Sequence, residues 1–462
     1  GRDYAPIWTQ AGNLSAAAKG VIARLRDAAF DGLNPADYPV PDFAAAASAP
    51  DALAEADIKL TESMLDYARQ AQSGRMHWSQ VSADIQYPEH PIDPNEVLAN
   101  VTAAKDASAA LDSYNPPHKL YKLLRAKLAE LRGGNDGAPI IIDDGQPLKY
   151  TPARGKNAPE AEAQMSDPRV PKLRAKLGIA ENADDIRYDA KVAAAVRKFQ
   201  ENADLKPTGV LDDRTVKALN TPKRDKQIDT ILVNMERWRW LPQTLPADRI
   251  QVNVAAAVMS VFQQDAPTLT MRAVTGRPGD ETPMLSSLIH SVVLNPPWNV
   301  PQSIATKELW PKEKANPGYL ARNDFIVIPT GDGGSRLQQK AGPKAALGQV
   351  KFDFNNPYGV YLHDTPSRSK FDSFSRLASH GCVRLQKPIE LIKLLLAGDP
   401  VWTPEKIDAT LASGDTVRAR LPQQMAVFLL YWTAYVTPDG QVNFRDDPYG
   451  WDKELVQRIA AL

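Results

Sequence analysis

The chain of 462 residues contains one cysteine, Cys382, and two of its six histidines, His363 and His380, lie close before it in YGVYLHDTPSRSKFDSFSRLASHGCVRLQKP, Tyr358 to Pro388. A thiol attacks a carbonyl as thiolate, and a neighbouring imidazole is the usual means of taking its proton. His380 stands two residues from Cys382, in a turn that Gly381 allows to be tight. His363 lies in a strand-like run whose alternation puts Val360 and Leu362 on one face and Tyr361 with His363 on the other. That second face could line a site for acyl transfer through a thioester. Residue types alone leave two other assignments open. A lone cysteine is often a small buried hydrophobe and lone histidines are often structural. Zinc could be held by the thiol and both imidazoles, although no fourth ligand is spaced nearby.

The single cysteine excludes an internal disulfide and a multi-cysteine metal site. Lys plus Arg and Asp plus Glu number 55 each, so no summed field favours a polyanion, and nucleic acid is not an expected partner. Hydrophobic residues at 43% and charged residues at 24% are ordinary for a globular protein. No apolar run approaches the roughly 18 residues of a spanning helix; the longest, around Val252 to Phe262, is broken by Asn253 and Ser260. The chain begins at Gly1 without a signal-type apolar core, so any export signal is expected to have been removed.

The elements that must position these residues follow from periodicity. A chain of this length divides into two to four domains. In LSAAAKGVIARLRDAAF and HKLYKLLRAKLAELRGG apolar residues recur at helical spacing, which predicts a helical domain over residues 1–132. Gly, Pro, Asp and Asn then mark a linker over 133–166. Leu173, Leu177, Val192, Val196, Phe199, Val216 and Leu219 predict three short amphipathic helices within 167–222, and a connecting helix follows over 223–248. From 249 to 462 the period changes to two. Ile250, Val252, Val254, Ala256 and Val258 alternate, as do Leu269, Met271 and Ala273, with TGRPGD and NPPWNVP as turns. KPIELIKLLLAGDP supplies a helix after Cys382, and the tail reads as further strands with TPDGQ as a hairpin turn. The predicted fold class is multidomain α+β: a helical scaffold, a three-helix module and a β-rich domain.

HDTP…SRLASHGCVRL resembles the signature of L,D-transpeptidase catalytic domains of the YkuD family, in which a histidine precedes Ser/Thr-His-Gly-Cys and then Asn or Arg. IQVNVAAAVMSVF, MRAVTGRPGDETPML and VVLNPPWNVPQSI are also similar to that family. WRWLP, LYWTAYVTPDGQVNFRDDPYG and DGLNPADY resemble the large YcbB-type enzymes of Gram-negative bacteria, and AAVRKFQ with TGVLDDRTVKALN resembles a peptidoglycan-binding module. The resemblance implies that Cys382 is the nucleophile and His363 the general base, oriented by the carbonyl or side chain of Asp364. His380 would be a second, structural histidine, and Gly381 and Cys382 N–H groups the oxyanion donors. Ser379 and Arg384 would brace the turn. Tyr361 and Trp298 would contact substrate, with packing an equal alternative, and the segment of about 301–348 would be a cap over the site.

The implied reaction is attack on the L-centre carbonyl of diaminopimelate in a donor tetrapeptide stem, loss of D-alanine, and transfer of the acyl group to the side-chain amine of another diaminopimelate, leaving a 3→3 crosslink. It needs no metal or cofactor. Expected partners are peptidoglycan stem peptides containing diaminopimelate, carbapenem-type inhibitors and other cell-wall synthesis enzymes; the expected compartment is the periplasm. Two alternatives stay open: an L,D-carboxypeptidase that trims stems, and a catalytically idle peptidoglycan-binding scaffold. Papain-like and NlpC-type peptidases place cysteine before histidine, whereas here His363 precedes Cys382.

Overall fold

The computed structural model describes residues 5–462 apart from 11, 134–139, 153–163, 204, 221–222 and 437–439. They form two compact units, Gly1–Val81 with Pro88–Thr244 and Trp432–Leu462, and Ser82–Tyr87 with Leu245–Tyr431. No described helix is long and apolar enough to cross a membrane.

The first unit is helical, as its periodicity predicts. Helix Ala16–Arg26 starts where Ser15 Oγ accepts the Ala18 N–H at 3.1 Å, and Pro50–Ser73 starts on proline and stops at Gly74, φ +94°. Leu60, Met64, Tyr67 and Ala71 recur every three or four residues along the latter and are fully buried. A separate core gathers Val170, Leu173, Tyr188, Val192, Val196, Leu211, Val216 and Leu219 around helices Val170–Lys176, Ala190–Asn202 and Asp213–Asn220. Buried Gln200 ties this module together, accepting the Gly209 N–H and donating to the Val210 carbonyl, both at 2.8 Å.

Two boundaries differ from the sequence expectation. Within the segment expected to be a linker, Ile142 and Leu148 belong to the module's core, and Leu148 pairs with Leu211 through backbone bonds of 3.1 and 2.9 Å. Isolated apolar residues in a polar stretch carry no period that would reveal this. At the other end, Trp432 stacks on Trp238 at 4.6 Å and Asn234 Nδ2 donates to Thr433 Oγ1 at 2.7 Å, so residues from 432 onward pack with the helical unit instead of the β-rich one. The TPDGQ turn falls largely on residues outside those described.

The second unit is built on strands β1 (Ile85–Gln86), β2 (Arg249–Asn253), β3 (Val258–Gln263), β4 (Ala266–Gly276), β5 (Met284–Leu294), β6 (Val350–Phe354), β7 (Leu362–His363), β8 (Leu377–Ser379), β9 (Val383–Leu385) and β10 (Val417–Leu430). Hydrogen bonding runs β6-β7-β9-β4-β3-β2-β10-β5 and returns from β5 to β6, a closed circuit; β1 joins β5 and β8 joins β4 as short added strands. The alternating run from Ile250 to Val258 is two strands instead of one. It turns at Val254–Ala257, with Ala257 at φ +50°, a turn made of residues that give no breaker signal.

Inside the circuit β6 pairs antiparallel with β7, Lys351 opposite His363, and β7 pairs parallel with β9, His363 opposite Arg384. The segment 301–348 forms a small layer of its own. Strands Trp298–Asn299, Phe325–Pro329 and Ser335–Gln339 make a three-stranded sheet, and Val300, Ala305, Leu309, Leu320 and Leu337 pack together as its core.

Candidate active site

Cys382 sits in the short turn between β8 and β9, and its shape follows from three residues. Ser379 Oγ donates to the Cys382 carbonyl at 2.6 Å and accepts the Gly381 N–H at 3.1 Å. Gly381 has φ +109°, a conformation that a side chain would strain. Its carbonyl accepts Thr282 Oγ1 at 2.7 Å, and Thr282 Oγ1 in turn accepts the Gly276 N–H at 2.8 Å, which fastens the turn to the end of β4. Gly381 therefore does not offer a free N–H: the Ser379 hydroxyl occupies the donor that the sequence reading assigned to an oxyanion. Among the described residues the Cys382 N–H has no acceptor.

His363 ends β7, 5% exposed. Its Nδ1 donates to the Asp364 carbonyl at 2.5 Å, which leaves the Nε2 lone pair as the acceptor. Of the two possibilities at Asp364, the carbonyl holds the ring. The carboxylate is engaged elsewhere, accepting the Gln349 N–H and Arg368 Nη1, both at 2.9 Å. Burial, with Arg384 and Lys351 beside it, pushes the His363 pKa down to about 3. Burial also raises the pKa of half-buried Cys382, against the pull of the Tyr361 N–H and hydroxyl, Lys351 and Arg384. Thiol and imidazole thus rest as a neutral pair at physiological pH. No hydrogen bond joins them among the described residues.

Tyr361 shares the His363 face, their rings 5.7 Å apart, and its hydroxyl lies between the Cys382 sulfur and Trp298. Trp298 comes from the small three-stranded sheet, its ring 6.3 Å from that of Phe325. His380 Nε2 meets Glu308 Oε1 at 2.5 Å, on the π-helical turn Ala305–Leu309. The Arg384 side chain, expected to brace the turn, makes no hydrogen bond or ion pair among the described residues, and its Nε is buried without an acceptor. Its register places it beside His363. Lys351 and Glu308 carry no local sequence signal; both reach the site through pairings far along the chain. No group of three or more His, Cys, Asp or Glu that could hold a metal occurs among the described residues.

A thiol on a glycine turn and a neutral imidazole on the strand paired with the one that follows it lie within the closed β circuit. Residues 247–402 match the L,D-transpeptidase catalytic domain of the YkuD family. Over these residues the chain is similar to L,D-transpeptidase catalytic domains. Residues 1–128 match the family described as "Scaffold domain" and 171–219 the one described as "Putative peptidoglycan binding domain". A curated protein of Haemophilus influenzae, named "Putative L,D-transpeptidase", is 31% identical over 251 residues, 51% of this chain and 50% of its own. The chain thus spans about half the length of that relative. Solved structures of low similarity include the catalytic domain of an Enterococcus faecium L,D-transpeptidase acylated by ertapenem, 12% identical, TM-score 0.20, covering 40% of this chain and 99% of that one. Another is L,D-transpeptidase 3 of Mycobacterium tuberculosis with a faropenem-derived adduct, 12% identical, TM-score 0.21, covering 40% and 60%.

Proposed function

We propose that the protein crosslinks peptidoglycan stem peptides, using Cys382 as nucleophile and His363 as base. The observation that carries this reading is the tautomer of His363: with Nδ1–H given to the Asp364 carbonyl, a neutral Nε2 remains to take a proton. The Cys382 sulfur attacks the L-centre carbonyl of diaminopimelate in a donor tetrapeptide as its proton passes to His363. The Cys382 N–H and the Tyr361 hydroxyl are the donors offered to the oxyanion. Collapse expels D-alanine, whose amine takes the proton from the imidazolium, and leaves a thioester. The side-chain amine of a second diaminopimelate then attacks. Its proton goes to His363, the C–S bond breaks, and the thiolate recovers the proton.

The thioester conserves the energy of the broken amide, so no nucleotide is needed. Trp298 and Tyr361 support a wall for the donor, and the 301–348 layer supports exclusion of water, the competing acceptor. The matched peptidoglycan-binding module supports retention on the polymer, and with it a periplasmic site of action and encounter with other cell-wall enzymes. Carbapenem-type β-lactams, as strained donor mimics, should acylate Cys382. Incubation with a disaccharide-tetrapeptide followed by mass spectrometry tests the reading. A crosslinked dimer with released D-alanine is expected. Tripeptide alone would make the protein a carboxypeptidase, and unchanged substrate would leave a binding scaffold.

A further inference from the structure

We infer that Lys351 and Arg384, in register on either side of His363, form a carboxylate-binding site at Cys382 that selects an acyl donor carrying a free carboxylate beside the attacked carbonyl. The inference deepens the crosslinking reading and rests on it for the identity of the donor, but not for the anion site.

Three observations carry it. First, the register puts both cations on the base: Lys351 opposite His363 across β6–β7, and Arg384 opposite His363 across β7–β9. Second, positive charge exceeds negative charge around the base. Lys351 meets Asp353 at 2.8 Å, but the same carboxylate takes Arg418 at 2.6 Å, so two cations share one anion. Arg384 has no carboxylate within 4.0 Å among the described residues, and its Nε is buried with no acceptor. Among the described residues six other arginines also have a buried Nε without an acceptor, but each of them bonds through another nitrogen, whereas Arg384 does not; an acceptor-only carboxylate is the group that would satisfy it. Third, the charge faces the chemistry. Lys351 Nζ stands 4.3 Å from the centre of the Tyr361 ring, whose hydroxyl lies at the sulfur.

The arrangement also gives the carboxylate a role in the reaction. Burial is the main cause that keeps His363 neutral and the two cations add to it; a bound carboxylate offsets the cations' part and moves the imidazole toward the range where it accepts the thiol proton. A donor without that carboxylate would bind less well and meet a weaker base.

The test compares iodoacetate with iodoacetamide on Cys382 of the full chain. In both reagents the thiolate displaces iodide, the S–C bond forming as C–I breaks, so their rate ratio reports the anion site and cancels changes in thiol ionisation. Lys351→Met should lower the iodoacetate-to-iodoacetamide ratio about tenfold, the scale of one nearby charge in a partly buried site, and Lys351→Arg should restore most of it. A ratio unchanged in Lys351→Met, or lost equally in Lys351→Arg, overturns the site. The second arm uses the disaccharide-tetrapeptide and the same compound with its carboxylates amidated. Wild type should favour the acid about tenfold in kcat/KM, and Lys351→Met should not distinguish them. A normal ratio shift with no turnover of either compound leaves the anion site standing and removes the stem-peptide donor.

Discussion

His363 and Cys382 rest uncharged, and that has measurable consequences. Because burial raises the thiol pKa, alkylation of Cys382 by iodoacetamide should be slow at pH 7 and keep rising with pH through the ordinary thiol range; a rate that levels off near neutrality would indicate a resting thiolate–imidazolium pair instead. For His363 the folded ring ionises at about 3, against 6.5 in an unconstrained chain. Between those values the unfolded chain holds a proton that the folded one lacks, so stability falls as pH drops through the window, by about 1.4 kcal/mol per pH unit at most. Urea melts of wild type and His363→Asn from pH 7 to 4 should converge as pH falls; parallel curves would contradict the neutral imidazole. As a lost general base, His363→Asn should slow acylation at least about 100-fold. His380→Asn should cost under about tenfold, since that ring reaches Glu308 and not the thiol; the reverse order of defects would exchange the two roles.

At the scale of elements, the turn between β8 and β9 aims the thiol, and Ser379 holds it from both sides. Ser379→Ala removes two hydrogen bonds from a nearly buried position, a loss of about 1–3 kcal/mol in stability, and frees the Gly381 N–H. Thermal melting checks the first effect, and acylation rate the second: a well-folded variant with unchanged acylation would show that the turn needs no brace. The helices, the three-helix module and most strands were legible because their apolar periods are long. Cys382 and His363 were legible from residue type and order. The break at Val254–Ala257 was not, because alanine and valine do not announce a turn, nor was the core role of Ile142 and Leu148. The placement of Lys351 and Arg384 beside His363 was hidden because register between β6, β7 and β9 is set by tertiary pairing and leaves no trace in spacing.

At the scale of the whole molecule, residues 432–462 leave the β-rich unit and pack with the helical one, so the two units share a chain that crosses between them more than once. Removing residues after Tyr431 should therefore lower the stability of the helical unit, where Trp432 stacks on Trp238, while sparing the β circuit. Proteolysis of the truncated chain, followed by fragment mapping, would show early cuts within 223–244; early cuts confined to 249–430 would reverse that expectation. The domain order was readable from composition and period, but this return was not, since strand-like text does not say which core it joins. The chemistry itself is tested most directly by mapping the acyl-enzyme. The full chain is mixed with disaccharide-tetrapeptide, quenched in acid, and its mass and peptides measured. A single adduct equal to the donor less D-alanine, on the peptide that contains Cys382 and absent in Cys382→Ala, is the predicted result. Crosslinked product formed by Cys382→Ala, or an adduct on any other residue, would contradict it.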